Sequence, residues 1–189
     1  MIDPTKGKLI VDGQTITHQN KRSWQKNIGY VPQNIYLSNS TIAENIAFGV
    51  NFEKIDHNKV VECAKLTNLD EFIKKELPDG YKTIIGEKGS RLSGGQKQRI
   101  GIARSLYHEP KILIFDEATN ALDILNEDFI MDGIYNMKNK ITIILVTHRI
   151  RTVKKCDIIF LLDKGEVKYS GNYEDIVKKN NNFYNFSTN

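Results

Sequence analysis

One run constrains this chain more than any other: Ile112-Leu113-Ile114-Phe115, four apolar side chains in succession, closed by the acids Asp116 and Glu117. Such a run suits a strand buried on both faces, its C-terminal end opening on the ligand crevice of a parallel sheet. A carboxylate there is able to hold magnesium, directly or through water, beside nucleotide phosphates. The bland alternative is that Asp116 only caps the next turn; two adjacent acids at a buried strand end weigh against it. A second run, Ile141-Thr142-Ile143-Ile144-Leu145-Val146, predicts another buried strand and ends in Thr147-His148-Arg149. Ile28-Gly29-Tyr30-Val31 predicts a third, ending at Pro32-Gln33.

Between these strands lies Gly89-Ser90-Arg91-Leu92-Ser93-Gly94-Gly95-Gln96-Lys97-Gln98-Arg99, followed by Ile100, Ile102, Ala103 and Leu106. It reads as a loop running into a helix with Ser93 as N-cap, its hydroxyl accepting an orphan amide of the first turn. Glycines leave the backbone amides open, and a helix N-terminus presents the positive end of its dipole. Together they favour an anion, above all a phosphate. Alone, Ser-Gly-Gly is equally a helix start or a flexible turn.

The 189 residues suffice for one domain with a real core. No apolar run approaches the roughly 20 residues that span a bilayer, and no signal peptide opens the chain, so any membrane role must come through a partner or a further segment. Cys63 and Cys156 are too few for a disulfide framework or zinc site, so reduced thiols are expected. The net charge of +4 is spread among interleaved lysines and acids, which suits solvated faces and not a nucleic-acid groove.

Along the chain, Lys8-Leu9-Ile10-Val11 and Asp12-Gly13 predict a short strand into a tight turn, after an irregular start over 1–7. Segment 39–49 predicts a cap and a short amphipathic turn. Asp56 predicts the cap of a helix through about Thr67, with Val60, Ala64 and Leu66 or Thr67 facing inward; another short helix follows over 69–75. Residues 77–91, rich in Gly, Pro and charge, predict loop. A helix is expected from Ile124 to about Met137. A hairpin is expected about Asp163-Lys164-Gly165, then a last short helix and a polar tail from Asn180 that frays.

In this order the motifs resemble those of the ATP-binding cassette (ABC) ATPases. Leu92-Ser93-Gly94-Gly95-Gln96 is similar to the family's signature motif, and 112–117 to its Walker B strand. The resemblance implies that Asp116 holds Mg2+, that Glu117 is the general base for the attacking water, and that Gln33 is the Q-loop glutamine sensing magnesium and water. His148 takes the place of the switch histidine, contacting the γ-phosphate and supporting Glu117. Ala118-Thr119-Asn120-Ala121-Leu122-Asp123 resembles the D-loop, with Asn120 where serine is commoner; Asp123 then positions the loop across a dimer interface. Ser93, Gly94, Gly95 and Gln96 would bind the nucleotide. Gly86-Glu87-Lys88-Gly89 looks like the exporter X-loop, although a plain turn explains it nearly as well. His18, His57 and His108 match no such role and are expected to be solvated.

The resemblance runs from Pro4 to about Lys178 and implies an α/β fold: an incomplete P-loop NTPase (RecA-like) ABC ATPase domain over 1–189, with a helical signature subdomain near 40–105. No G-x-x-x-x-G-K-[ST] occurs, since Gly7-Lys8 precedes Leu9 without the upstream glycine. The chain is therefore expected to lack the family's N-terminal strand and P-loop, to bind and hydrolyse ATP feebly or not at all alone, and to leave sheet edges unpaired. Segments 42–49 and 86–89 and the Thr147-His148-Arg149 triplet resemble the exporter branch. The implied function is the ATP-binding and hydrolysing domain of an exporter, for lipid or polysaccharide by analogy alone. Its partners would be a second nucleotide-binding domain, head to tail, and transmembrane domains at the cytoplasmic face of the membrane, with no nucleic acid. Competing readings are an inert fragment or pseudo-ATPase, an importer ATPase, and a DNA-associated ABC ATPase.

Overall fold

The computed structural model describes residues 3–119, 121–136 and 141–179. The readings that fall on Met1, Ile2, Asn120, Met137 and the tail from Asn180 lie outside them.

The first elements are small. Strands β1 (Ile10–Val11) and β2 (Gln14–Thr15) pair antiparallel about Asp12-Gly13, and α1 (Lys21–Gln25) follows. Asp12 (φ 48) and Gly13 (φ 77) both lie in the left-handed region that a two-residue hairpin turn requires.

Strand β3 (Ile28–Val31) then enters a parallel sheet and hands over to helices. These are α2 (Ile42–Ile46), α3 (His57–Leu66), α4 (Asp70–Glu76) and α5 (Gly94–Tyr107). Thr41 caps α2 in a reciprocal box: its hydroxyl accepts from Glu44 N at 3.2 Å, and its own N–H donates to Glu44 Oε2 at 2.9 Å. Asp56 caps α3 through the amides of Asn58 and Lys59, with Thr67 as its C-cap. Of the two inward candidates there, Thr67 is buried and Leu66 is exposed. Arg104 ties α5 to the start of the helical segment, donating to the carbonyls of Asn45 and Tyr36 at 2.8 Å each.

Next come β4 (Ile112–Asp116), α6 (Ile124–Tyr135), β5 (Thr142–Val146) and the single turn α7 (Ile150–Val153). The sheet has the order β3-β4-β5, all parallel, with Ile28 opposite Ile112 and Asp116 opposite Val146. The antiparallel hairpin of β6 (Ile159–Asp163) and β7 (Glu166–Gly171) and the helix α8 (Tyr173–Lys179) close the described chain.

Helix α5 lies close on the sheet at Gly29. A Cβ there would stand 3.0 Å from the Ser105 carbonyl and 2.9 Å from Leu113 Cδ1, so only glycine permits the approach. The main core gathers here, with Val31, Leu113 and Phe115 against Ile100, Ile102, Ala103 and Leu106.

The expectation of strands buried on both faces is corrected. In β4 only Leu113 and Phe115 are buried, while Ile112 and Ile114 are half-covered. In β5 the alternation is open: Ile144 is 45% and Val146 50% exposed. The cause is topological. Among the described residues β5 is an edge strand, and the layer that packs on Leu113 and Phe115 does not reach its other face.

Candidate active site

The C-terminal ends of β3, β4 and β5 converge. At the end of β4 the chain turns through Glu117, whose φ of 49 is left-handed for a residue with a side chain. Its N–H donates to the Val146 carbonyl at 2.8 Å, so the turn is held by β5. Its carboxylate is gripped on both oxygens: Gln33 Nε2 donates to Oε2 at 2.8 Å, and His148 Nδ1 stands 3.2 Å from Oε1. Residues 84 and 31 positions away in sequence thus meet one acid. Two side chains from two other strand ends thus hold one carboxylate in place.

Asp116 lies beside it, half-exposed, and accepts the Tyr30 hydroxyl at 2.7 Å. That bond to the Asp116 carboxylate pushes the Tyr30 phenol above its ordinary value. Tyr30 was not singled out from the sequence. No local spacing marks it, because only the register of the folded sheet sets it opposite Ile114, two residues short of Asp116, on the open face.

The signature residues lie at the start of α5. Ser93 is exposed and caps the helix, accepting from Gln96 N at 3.2 Å, while Gln96 Oε1 takes the Ser93 N–H at 2.8 Å. The Gln96 side-chain oxygen is therefore engaged by the cap. Gly94 and Gly95 pack on the loop after Glu117: a Cβ on Gly95 would sit 3.3 Å from the Ala121 carbonyl. Asp123 caps α6 with both carboxylate oxygens, from Asn126 N at 3.0 Å and Asn126 Nδ2 at 2.6 Å. Those two donors hold its carboxyl below the usual range. Asn126 also reaches back to the helical segment, accepting from Asn68 Nδ2 at 3.0 Å and Arg99 Nη1 at 3.4 Å.

The oxygen donors here suit a hard cation. Among the described residues no three His, Cys, Asp or Glu side chains gather as a cage. One carboxylate, Asp116, and one carboxamide oxygen, on Gln33, are hard ligands fit for Mg2+, which keeps waters and phosphate oxygens as its remaining ligands.

The family model for ABC transporters matches residues 1–120. The chain belongs to the ABC transporter family. It is 39% identical over 186 residues to the leukotoxin export ATP-binding protein LtxB of Aggregatibacter actinomycetemcomitans, covering 97% of this chain and 26% of that protein. It is 41% identical over 177 residues to ABC transporter B family member 17 of Arabidopsis thaliana, covering 94% of this chain and 14% of that one. A solved bacterial Atm1-family ABC exporter with ATP bound superposes with a TM-score of 0.90 at 38% identity, over 97% of this chain and 32% of that one. The fold is therefore that of an ABC ATPase domain, a P-loop NTPase fold with α/β architecture, and among its kin are an ABC exporter and an export ATP-binding protein. The chain spans about a quarter of the length of the bacterial export protein it matches.

Of the other histidines, His18 and His57 are exposed; His108 is exposed too but holds the Phe48 carbonyl at 3.0 Å. Among the described residues no helix is long and apolar enough to cross a membrane.

Proposed function

We propose that this ABC domain works by sharing ATP between two nucleotide-binding domains of an exporter, hydrolysing it at Glu117 and so driving attached transmembrane domains at the cytoplasmic face of the membrane. The observation that carries the reading is the double grip on Glu117 by Gln33 and His148.

The chemistry follows from that grip. Glu117 accepts a proton from the water that attacks the γ-phosphorus, as the bond from that phosphorus to the β–γ bridging oxygen breaks and ADP departs. The Gln33 amide keeps Oε2 of the acid turned and leaves the glutamine oxygen for metal or water. His148 holds Oε1 and supports the γ-phosphate side. Asp116 and Gln33 would hold Mg2+, which when bound neutralises charge on the phosphates. From the facing domain, Ser93, Gly94 and Gly95 present a capped helix start to the nucleotide. The helical segment 40–105 carries that surface, and Asp123 fixes the loop between the two.

No G-x-x-x-x-G-K-[ST] occurs in the sequence, so the β- and γ-phosphate cradle is to be supplied separately in the test. The 189-residue chain is mixed with a strand–P-loop–helix segment of an ABC exporter, and phosphate release is followed. ATP turnover should appear on mixing and fall by roughly a hundredfold or more in Glu117→Gln, the scale of losing a general base. Saturable turnover by the chain alone, or none on mixing, overturns the shared-site reading. An inert pseudo-ATPase is the second outcome of the same experiment.

A further inference from the structure

We infer that Arg149 and Glu127 form a positioning clamp that fixes the distance between Glu117 and His148. The inference rests on the ATPase reading above but on different residues. Arg149 follows His148 directly. Its Nη1 donates to Glu127 Oε2 at 2.7 Å and to the Thr119 carbonyl at 3.3 Å. Thr119 lies two residues after Glu117, so one guanidinium holds both loops that carry the catalytic pair.

The anchor is firm on each side. The Glu127 side chain, on α6, is 6% exposed, and its second oxygen accepts the Thr152 hydroxyl at 3.0 Å from α7. The Tyr135 hydroxyl, also on α6, donates to the Thr152 carbonyl at 2.6 Å. The Thr119 carbonyl accepts in addition from Leu122 N at 3.0 Å, and the Arg149 N–H is itself held by Thr147 Oγ1 at 2.9 Å. A buried carboxylate needs a partner of opposite charge, and a planar guanidinium offers several donors at fixed angles. The clamp acts through Glu117 and His148, by holding the loops that carry them.

The test reads the pair without requiring turnover. In the 15N-labelled 189-residue chain, the His148 ring resonances are compared with those of Glu117→Ala, which sets the signature of a parted pair. Arg149→Gln should move His148 to that signature while far-ultraviolet circular dichroism stays at the wild-type value below the melting temperature. Arg149→Lys, able to meet Glu127 but not the Thr119 carbonyl as well, should fall between. Should Arg149→Gln fail to fold, Glu127→Gln keeps the volume and removes the charge, and should produce the same displacement. In the mixture with the P-loop segment, both variants should lower kcat about tenfold to a hundredfold with KM within about twofold, the scale of losing a residue that orients another. His148 moved by Glu117→Ala but untouched by Arg149→Gln and Glu127→Gln overturns the clamp and leaves the ATPase reading standing. His148 unmoved even by Glu117→Ala overturns the catalytic pair and the clamp with it.

Discussion

Glu117 and Cys63 show how far a neighbourhood changes an ordinary side chain. Glu117 occupies a backbone region that costs an L-residue on the order of 1 kcal/mol, and its amide bond to Val146 and two side-chain partners hold it there. Cys63 is 4% exposed on the inner face of α3, and burial pushes its thiol up to about 11. The thiolate is the reactive form, so labelling of the native chain with a disulfide reagent at pH 8 should leave Cys63 untouched until the protein is unfolded. Below about pH 9 the thiol is protonated in both states and nothing is lost. Between there and about 11 the unfolded chain releases a proton that the folded chain keeps, so urea midpoints should fall across that alkaline window. At this scale the sequence named Glu117, Gln33, His148 and Asp116, which the fold brings together or side by side. It did not reveal Tyr30, Arg149 or Glu127. Their partners are distant in sequence, and no local spacing encodes such a meeting.

Helix starts were the most legible elements. Thr41 and Ser93 each stand three residues before a Glu or Gln, and both close reciprocal boxes. Removing the Ser93 hydroxyl leaves the Gln96 amide without its acceptor. Ser93→Ala should therefore cost about 1 kcal/mol in a urea melt, with the far-ultraviolet spectrum of the folded chain unchanged. A midpoint equal to the wild type would mean that water serves as well. The short elements α1 and α7 went unread, being 5 and 4 residues long, too short for a periodic pattern to mark. The second strand of the first hairpin, only Gln14–Thr15, went unread for the same reason.

For the whole molecule, apolar runs identified the strands of the parallel sheet but not how much of each is covered. Hydropathy states which surface gains from burial; the layers of the fold decide whether it is buried. That is why 141–146 reads as an interior strand and lies at an edge. An edge strand with Ile144 and Val146 exposed is a template for pairing with another chain. Ile144→Lys should lower light scattering by the concentrated chain, with little loss of stability because the side chain is already 45% exposed. Equal scattering would place the sticky surface elsewhere, for example on Phe160 and Leu162 of β6.

The bonds that meet at Asn126 carry a mechanical consequence. One side chain is tied at once to Asp123, to Asn68 and to Arg99 of α5. The glycines at the head of α5 rest on Ala121 of the same loop. A pull applied at that head is thus delivered to the loop beside the acids as to the far arm of a lever, and the two can tilt separately only by tearing the fulcrum.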